Sequence, residues 1–97
     1  MTVLRHYVMV AAEGREAAMA EALRELAGKV APLEGCEGVE VLQDPRQPTH
    51  FVFIERWASI EAHKSGGRLL GKEALDPVLA AIAQPPEGRY LEPLSVR

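Results

Sequence analysis

The chain has 97 residues, 47% of them hydrophobic and 26% charged, with a formal net charge of −3 and a pI near 5.6. That length suits one compact domain spanning 1–97, and an acidic balance with scattered Lys and Arg argues against nucleic-acid binding. Its apolar runs are far shorter than the roughly 20 residues of a membrane-spanning helix, so no membrane partner is expected. A single cysteine, Cys36, cannot form an internal disulfide. Together with an N-terminus that lacks an export signal, it points to the cytoplasm.

Residues 3–11, "VLRHYVMVA", have the β-branched and aromatic content of a first strand, and "AEG" at 12–14 turns the chain. Between Arg15 and Ala31, Met19, Leu23, Leu26 and Val30 recur at helical spacing, with Ala22 and Ala27 beside them. Glu16, Glu21, Arg24 and Glu25 take the opposite side. Pro32 should end this helix, because the residue before a proline is expected to leave the α region. "LEGCEG" at 33–38, with Cys36 half-buried in the turn, leads to a second strand over 39–43. "DPRQPT" at 44–49 connects to a third strand, His50 to Trp57.

Ser59 is an N-cap residue, and Glu61 stands where a helix dipole favours an acid. Gly66-Gly67 predicts that this helix is short. Asp76-Pro77 opens a second helical piece, with Leu75, Val78, Leu79 and Ile82 near one stripe, though one longer helix with a kink would give the same pattern. "QPPEG" at 84–88 breaks it, and 89–96 forms the last strand, which Pro93 assigns to an edge or ends early.

The order is βαββαβ. It predicts an α+β, ferredoxin-like fold: a four-stranded antiparallel sheet with its helices on one face. Such a sheet leaves its other face bare. Alternation puts Phe51, Phe53, Glu55 and Trp57 on one side of the third strand, and Val52, Ile54 and Arg56 on the other. With the aromatic side on the bare face, alongside Tyr7 and Met9, a homodimer through the sheet face is expected. His50 then falls on the helix side in a structural role.

Read together, "LEGCEGVEVLQDP", "FVFIERWASIEAH" and "PPEGRYLEPL" resemble the antibiotic biosynthesis monooxygenase family, whose members are dimeric α/β barrels. The most specific part is the run Glu55, Trp57, Ser59, preceded by Gly35, Cys36 and Gly38. The resemblance implies oxygenation of a small aromatic substrate, a quinol or polyphenol, with no metal and no organic cofactor. The family's haem-degrading branch carries an Asn on the first strand and a His about ten residues past the tryptophan. Here Tyr7 and Gly67 stand near those positions, and the nearest histidine is His63, so the resemblance points away from haem degradation.

Cofactor-free oxygenation needs a dry pocket, a base, and a donor for the phenolic oxygen. His6, Trp57 and His63 are the candidate catalytic residues. His6 can act as a base or as a hydrogen-bonded structural residue of its strand, His63 can overhang the pocket as a base or lie on solvated helix surface, and the Trp57 indole N–H can donate to substrate. Tyr7, Phe51, Phe53 and Glu55 are the candidate substrate-binding residues. His6 and Tyr7 alternate, so only one of them shares the pocket face. The aromatic residues also fit interface or core packing. Glu55 needs a partner on such a face, with Arg5, Arg68 or Arg89 available, and can serve as a salt-bridge member or a base. No tight His spacing of a metal motif is present. Two other functions fit the same fold: a non-catalytic dimer that binds a metabolite or serves a stress response, and an isomerase or decarboxylase.

Overall fold

A computed structural model describes residues 2–97; Met1, where the expected domain span begins, lies outside them. Strand β1 (Val3–Val10) sits inside the sheet, paired antiparallel with β3 (His50–Trp57) on one side and with β4 (Glu87–Leu91) on the other. Strand β2 (Cys36–Gln43) pairs with the far side of β3, giving the order β2-β3-β1-β4. This is the expected ferredoxin-like α+β sheet.

Helix α1 (Glu16–Val30) buries Met19, Ala22, Leu23, Leu26 and Val30 along one side, the stripe its periodicity announces. Helix α2 (Ile60–Leu70) starts at Ser59, whose hydroxyl accepts from the Ala62 N–H at 3.0 Å. A 3-10 turn over Lys72–Leu75 leads into the short α3 (Asp76–Ala81), with proline in its first turn.

The two faces of the sheet differ from expectation. Phe51, Phe53, Glu55 and Trp57 are all buried, in one core with Met19, Leu23, Leu26 and Val30 of α1. They therefore lie beneath the helices and not on the bare side. His50, Val52, Ile54 and Arg56 alternate with them and take the open face, so the helix-side placement of His50 is also corrected. The cause is coverage: the bulkiest side chains remove the most apolar area from water where a second layer lies over them. The open face carries Leu4, Val8, Val10, Leu42, Val52 and Ile54, aliphatic residues that are half-buried or exposed.

Other departures have local causes. Helix α1 stops before Pro32 as expected, but Ala31 keeps α-region backbone at φ −53 and ψ −39, so the proline's missing N–H, not a displaced predecessor, accounts for the stop. Strand β2 starts at Cys36, inside the expected turn, because an irregularity between Cys36 and Gly38 absorbs the glycine at φ +156. Helix α2 runs through Gly66-Gly67 rather than stopping there. A Cβ at Gly66 would come within 2.6 Å of the Trp57 ring, so glycine is what lets the helix rest on the indole. Each helical glycine costs about 1 kcal/mol relative to alanine, less than the roughly 1.5–3 kcal/mol that burying a large apolar side chain contributes. In the last helix Val78 and Ala81 are buried while Leu79 is exposed, as is Leu75 of the preceding 3-10 turn, so the expected stripe is rotated. Strand β4 stops at Leu91, shortly before Pro93, and it is an edge strand.

Candidate active site

Three elements meet around the buried end of β3. Glu55 and Trp57 sit two residues apart on the same face, so the indole Nε1–H donates to Glu55 Oε1 at 2.8 Å. The Ser59 cap then starts α2 at once, and its first turns carry His63 back over the strand. Two glycines fix that approach. Gly35, at φ +86, is where a Cβ would strike the Ala62 Cβ at 2.7 Å, and Gly66 lies on the indole. His63 meets the Trp57 ring edge-on, with centroids 5.6 Å apart.

His63 connects the strands. Its Nε2 lies 3.3 Å from the Tyr7 hydroxyl of β1 and 3.7 Å from Glu55 Oε1. Its Nδ1 lies 2.7 Å from the Tyr90 hydroxyl of β4. Arg5 stands opposite Glu55 in the register but does not pair with it. Its guanidinium packs between the rings of Tyr7 and Tyr90, at 5.0 and 4.5 Å from their centroids. Gly88 makes room, since a Cβ there would meet Arg5 and Tyr7 at 2.8 and 2.9 Å. The other proposed partners of Glu55 lie elsewhere: Arg68 reaches Ser65, and Arg89 is on the open face beside His6.

Burial governs the charges. It pushes the Glu55 carboxyl above the usual glutamate range, with the Trp57 N–H and the Arg5 charge pulling back only in part. His63 is pushed below 6.5 by burial and by the cations of Arg5 and Lys64, so its imidazole is neutral at pH 7. The 3.7 Å approach of His63 to Glu55 is therefore not an ion pair at that pH. Burial also raises the Tyr7 phenol, partly offset by Arg5, so it keeps its hydrogen.

These groups form the polar floor of a cavity of about 220 Å³ between the sheet and the helices. Met9, Leu26, Leu33, Phe53 and Leu70 line its apolar walls, and the exposed Gly67, Gly71, Lys72, Leu75 and Pro86 surround its outer end. The volume lies below the roughly 300–1,000 Å³ usual for ligand pockets, which suits a small ligand. A raised carboxyl, a neutral imidazole and a phenolic hydroxyl facing an apolar space can take a proton from a weak acid and donate a hydrogen bond to the anion that results.

The cavity thus brings together Tyr7, Phe53, Glu55, Trp57 and His63. Tyr7, rather than His6, shares this face. His6 points to the open side because strand alternation separates it from Tyr7, and among the described residues its buried Nδ1 has no hydrogen-bond partner. Phe51 is core packing away from the cavity. Trp57 is a wall, but its N–H already serves Glu55 and is not free for substrate. Sequence reasoning missed Tyr90 altogether and considered Arg5 only as a partner of Glu55. The available signal was the parity of β4 against β1, which places Tyr90 beside Arg5. Among the described residues, no group of three or more His, Cys, Asp or Glu could hold a metal ion.

An antiparallel sheet covered on one face by helices defines a ferredoxin-like α+β domain, and the small cavity floored by acid–base groups between its layers is its candidate site. The antibiotic biosynthesis monooxygenase family model matches residues 2–65, and the chain belongs to that family. A solved structure bearing the family's name, from Chloroflexus aurantiacus, is 26% identical, covers 100% of this chain and 97% of its own, and gives a TM-score of 0.81. Another bearing that name, from Nitrosomonas europaea, is 19% identical over 96% of this chain and 90% of its own, with a TM-score of 0.86. SnoaB from Streptomyces nogalater, a cofactor-independent oxygenase, is 15% identical over 98% of this chain and 95% of its own, with a TM-score of 0.81. No curated protein matches the sequence.

Proposed function

We propose that this chain is a cofactor-independent monooxygenase of a small quinol or polyphenol, acting as a cytoplasmic homodimer. The observation that carries the reading is the buried Glu55 carboxyl and the Tyr7 hydroxyl, both next to His63 Nε2 in the lining of an apolar cavity. Glu55 takes the phenolic proton, its raised pKa bringing it closer to that of the weak acid it must deprotonate. Tyr7 donates a hydrogen bond to the phenolate oxygen. The electron-rich ring then gives electrons to oxygen, and a ring carbon forms a C–O bond as a hydroperoxide. As the O–O bond breaks, the same ring carbon gives up its hydrogen as a proton and keeps one oxygen as a carbonyl, while the other oxygen leaves as water with that proton and the one Glu55 returns. The ring is oxidised, dioxygen is reduced, and the proton held by Glu55 returns in the water. Phe53 and Trp57 wall the ring, and His63 holds the floor in place.

The dimer is proposed through the open face, using Leu4, Val8, Val52 and Ile54 in place of the aromatic residues first expected there. Oxygen uptake by purified, metal-free protein tests the reaction across a panel of hydroquinones. Turnover that disappears in Glu55→Gln supports the proposal. A wild-type protein inert on the whole panel, or a Glu55→Gln variant as active as the parent, overturns it. A ligand that raises the melting temperature without turnover would identify a binding protein instead.

A further inference from the structure

We propose that Tyr90, on the edge strand β4, is a positioning residue that sets the tautomer of His63 and so turns the Tyr7 hydroxyl hydrogen into the cavity. The inference rests on the oxygenase reading for its catalytic consequence, but not for its geometry. Tyr90 does not line the cavity. Its hydroxyl is 2.7 Å from His63 Nδ1, a shorter contact than the 3.3 Å from Nε2 to Tyr7.

The neighbours of Nε2 decide the direction of every bond in this chain. Nε2 faces two oxygens, the Tyr7 hydroxyl and Glu55 Oε1. A bare Nε2 would point its lone pair at the carboxylate oxygen, which is repulsive, whereas an Nε2–H finds acceptors on both sides. With the hydrogen on Nε2, Nδ1 is an acceptor and must receive its hydrogen bond from the Tyr90 O–H. Tyr7 Oη then accepts from Nε2–H, and its own hydrogen is released toward the cavity. Tyr90 O–H to His63, then His63 N–H to Tyr7, makes one directional chain ending in a donor aimed at the ligand.

Arg5 supports the arrangement by packing between the two tyrosine rings, which holds β1 and β4 partners in one frame. In the reaction no proton travels along the chain. The substrate's proton goes to Glu55, and the chain only strengthens the hydrogen bond to the oxygen that becomes negative.

Nitrogen-15 NMR of His63 in the ligand-free protein tests the geometry, and kinetics of Tyr90→Phe test the consequence. The groups facing His63 are Tyr7 and Arg5 of β1, Glu55 of β3, Tyr90 of β4 and Lys64 of its own helix. Wild type is expected to show the Nε2–H tautomer. Tyr90→Phe keeps the ring on Arg5 and removes the hydroxyl; it is expected to shift His63 toward a tautomer mixture and displace the pH–rate profile. Its kcat should fall about tenfold with KM little changed, the worth of one net hydrogen bond. An Nδ1–H tautomer in wild type overturns the inference, as do nitrogen shifts unchanged in Tyr90→Phe. Quinol turnover with a Tyr90→Phe variant equal to the parent removes the role of Tyr90 in catalysis alone. An inert protein with the expected tautomer and shift removes the oxygenase reading and leaves the hold of Tyr90 on His63 standing.

Discussion

The two faces of this sheet are made by the same strands, yet the face that holds a carboxylate, two tyrosines and an arginine is the more deeply covered. Odd-numbered residues of β1 and β3 place Glu55 and Tyr7 under the helices, while the even-numbered Leu4, Val8, Val52 and Ile54 stay half-open. Polarity alone would sort them the other way. What decides is coverage together with partnering. Glu55 tolerates burial because an indole N–H two residues along the same strand satisfies it, and the aromatic neighbours gain most from the helical layer. A face can be aliphatic and still remain uncovered when no element of its own chain reaches it.

Paired substitutions on one strand would break this contrast most sharply. Phe53→Ala should cost about 3–5 kcal/mol in urea or thermal unfolding, since it removes a fully buried ring. Ile54→Ala, its neighbour, should cost about 1 kcal/mol or less in the monomer, because the open face lets water or side chains fill the gap. Equal losses at the two positions would erase the distinction between faces. Next in size is Gly66→Ala, where the new Cβ meets the indole at 2.6 Å. A loss of about 1–3 kcal/mol is expected, with altered tryptophan fluorescence. Gly67→Ala, which meets nothing within 4 Å, should be neutral or slightly stabilising. Ile54→Asp should leave the circular dichroism spectrum intact and convert the proposed dimer to a monomer in sedimentation, because it puts a charge into the proposed seam.

The smallest effects concern pH. His63 is held below its ordinary value of 6.5, so the folded state binds its proton less tightly than the unfolded chain does. The stability this confers is complete above pH 6.5 and is lost as pH falls through the lower folded pKa. Glu55 is raised above 4.5, so its contribution is complete below that pH and declines as pH rises through the higher folded value. Melting curves of His63→Gln should therefore lose part of the acid-side decline, and those of Glu55→Gln part of the decline above pH 4.5. Superimposable pH profiles for parent and variants would remove these two groups as the source.

Much of the fold was legible because periodicity is a local property. The spacing of Met19, Leu23, Leu26 and Val30, the Ser59 cap and the alternation of His50 to Trp57 each point to one element type. Which side of an alternating strand meets the helices is not local. Phe51, Phe53 and Trp57 satisfy the pattern either way up, so the choice rests on the helix layer that only the assembled chain supplies. Gly66-Gly67 misled for a related reason: its helical cost is written in the sequence, while the ring it accommodates belongs to another element. Within the cavity, Glu55 and Trp57 were legible as neighbours on one strand face, Tyr7 only as one of two alternating residues of β1, and His63 only as a residue past the Ser59 cap. Tyr90 was not, because its contact with His63 depends on the short register between β4 and β1.

The indole of Trp57 is the chain's single tryptophan, and its N–H is bonded to the carboxyl assigned the proton. The protein therefore carries a built-in optical probe at the atom pair where the proposed proton transfer and the proposed ligand would meet. Its emission should register the titration of Glu55 and the arrival of a guest without any label, in a background that no second indole confuses.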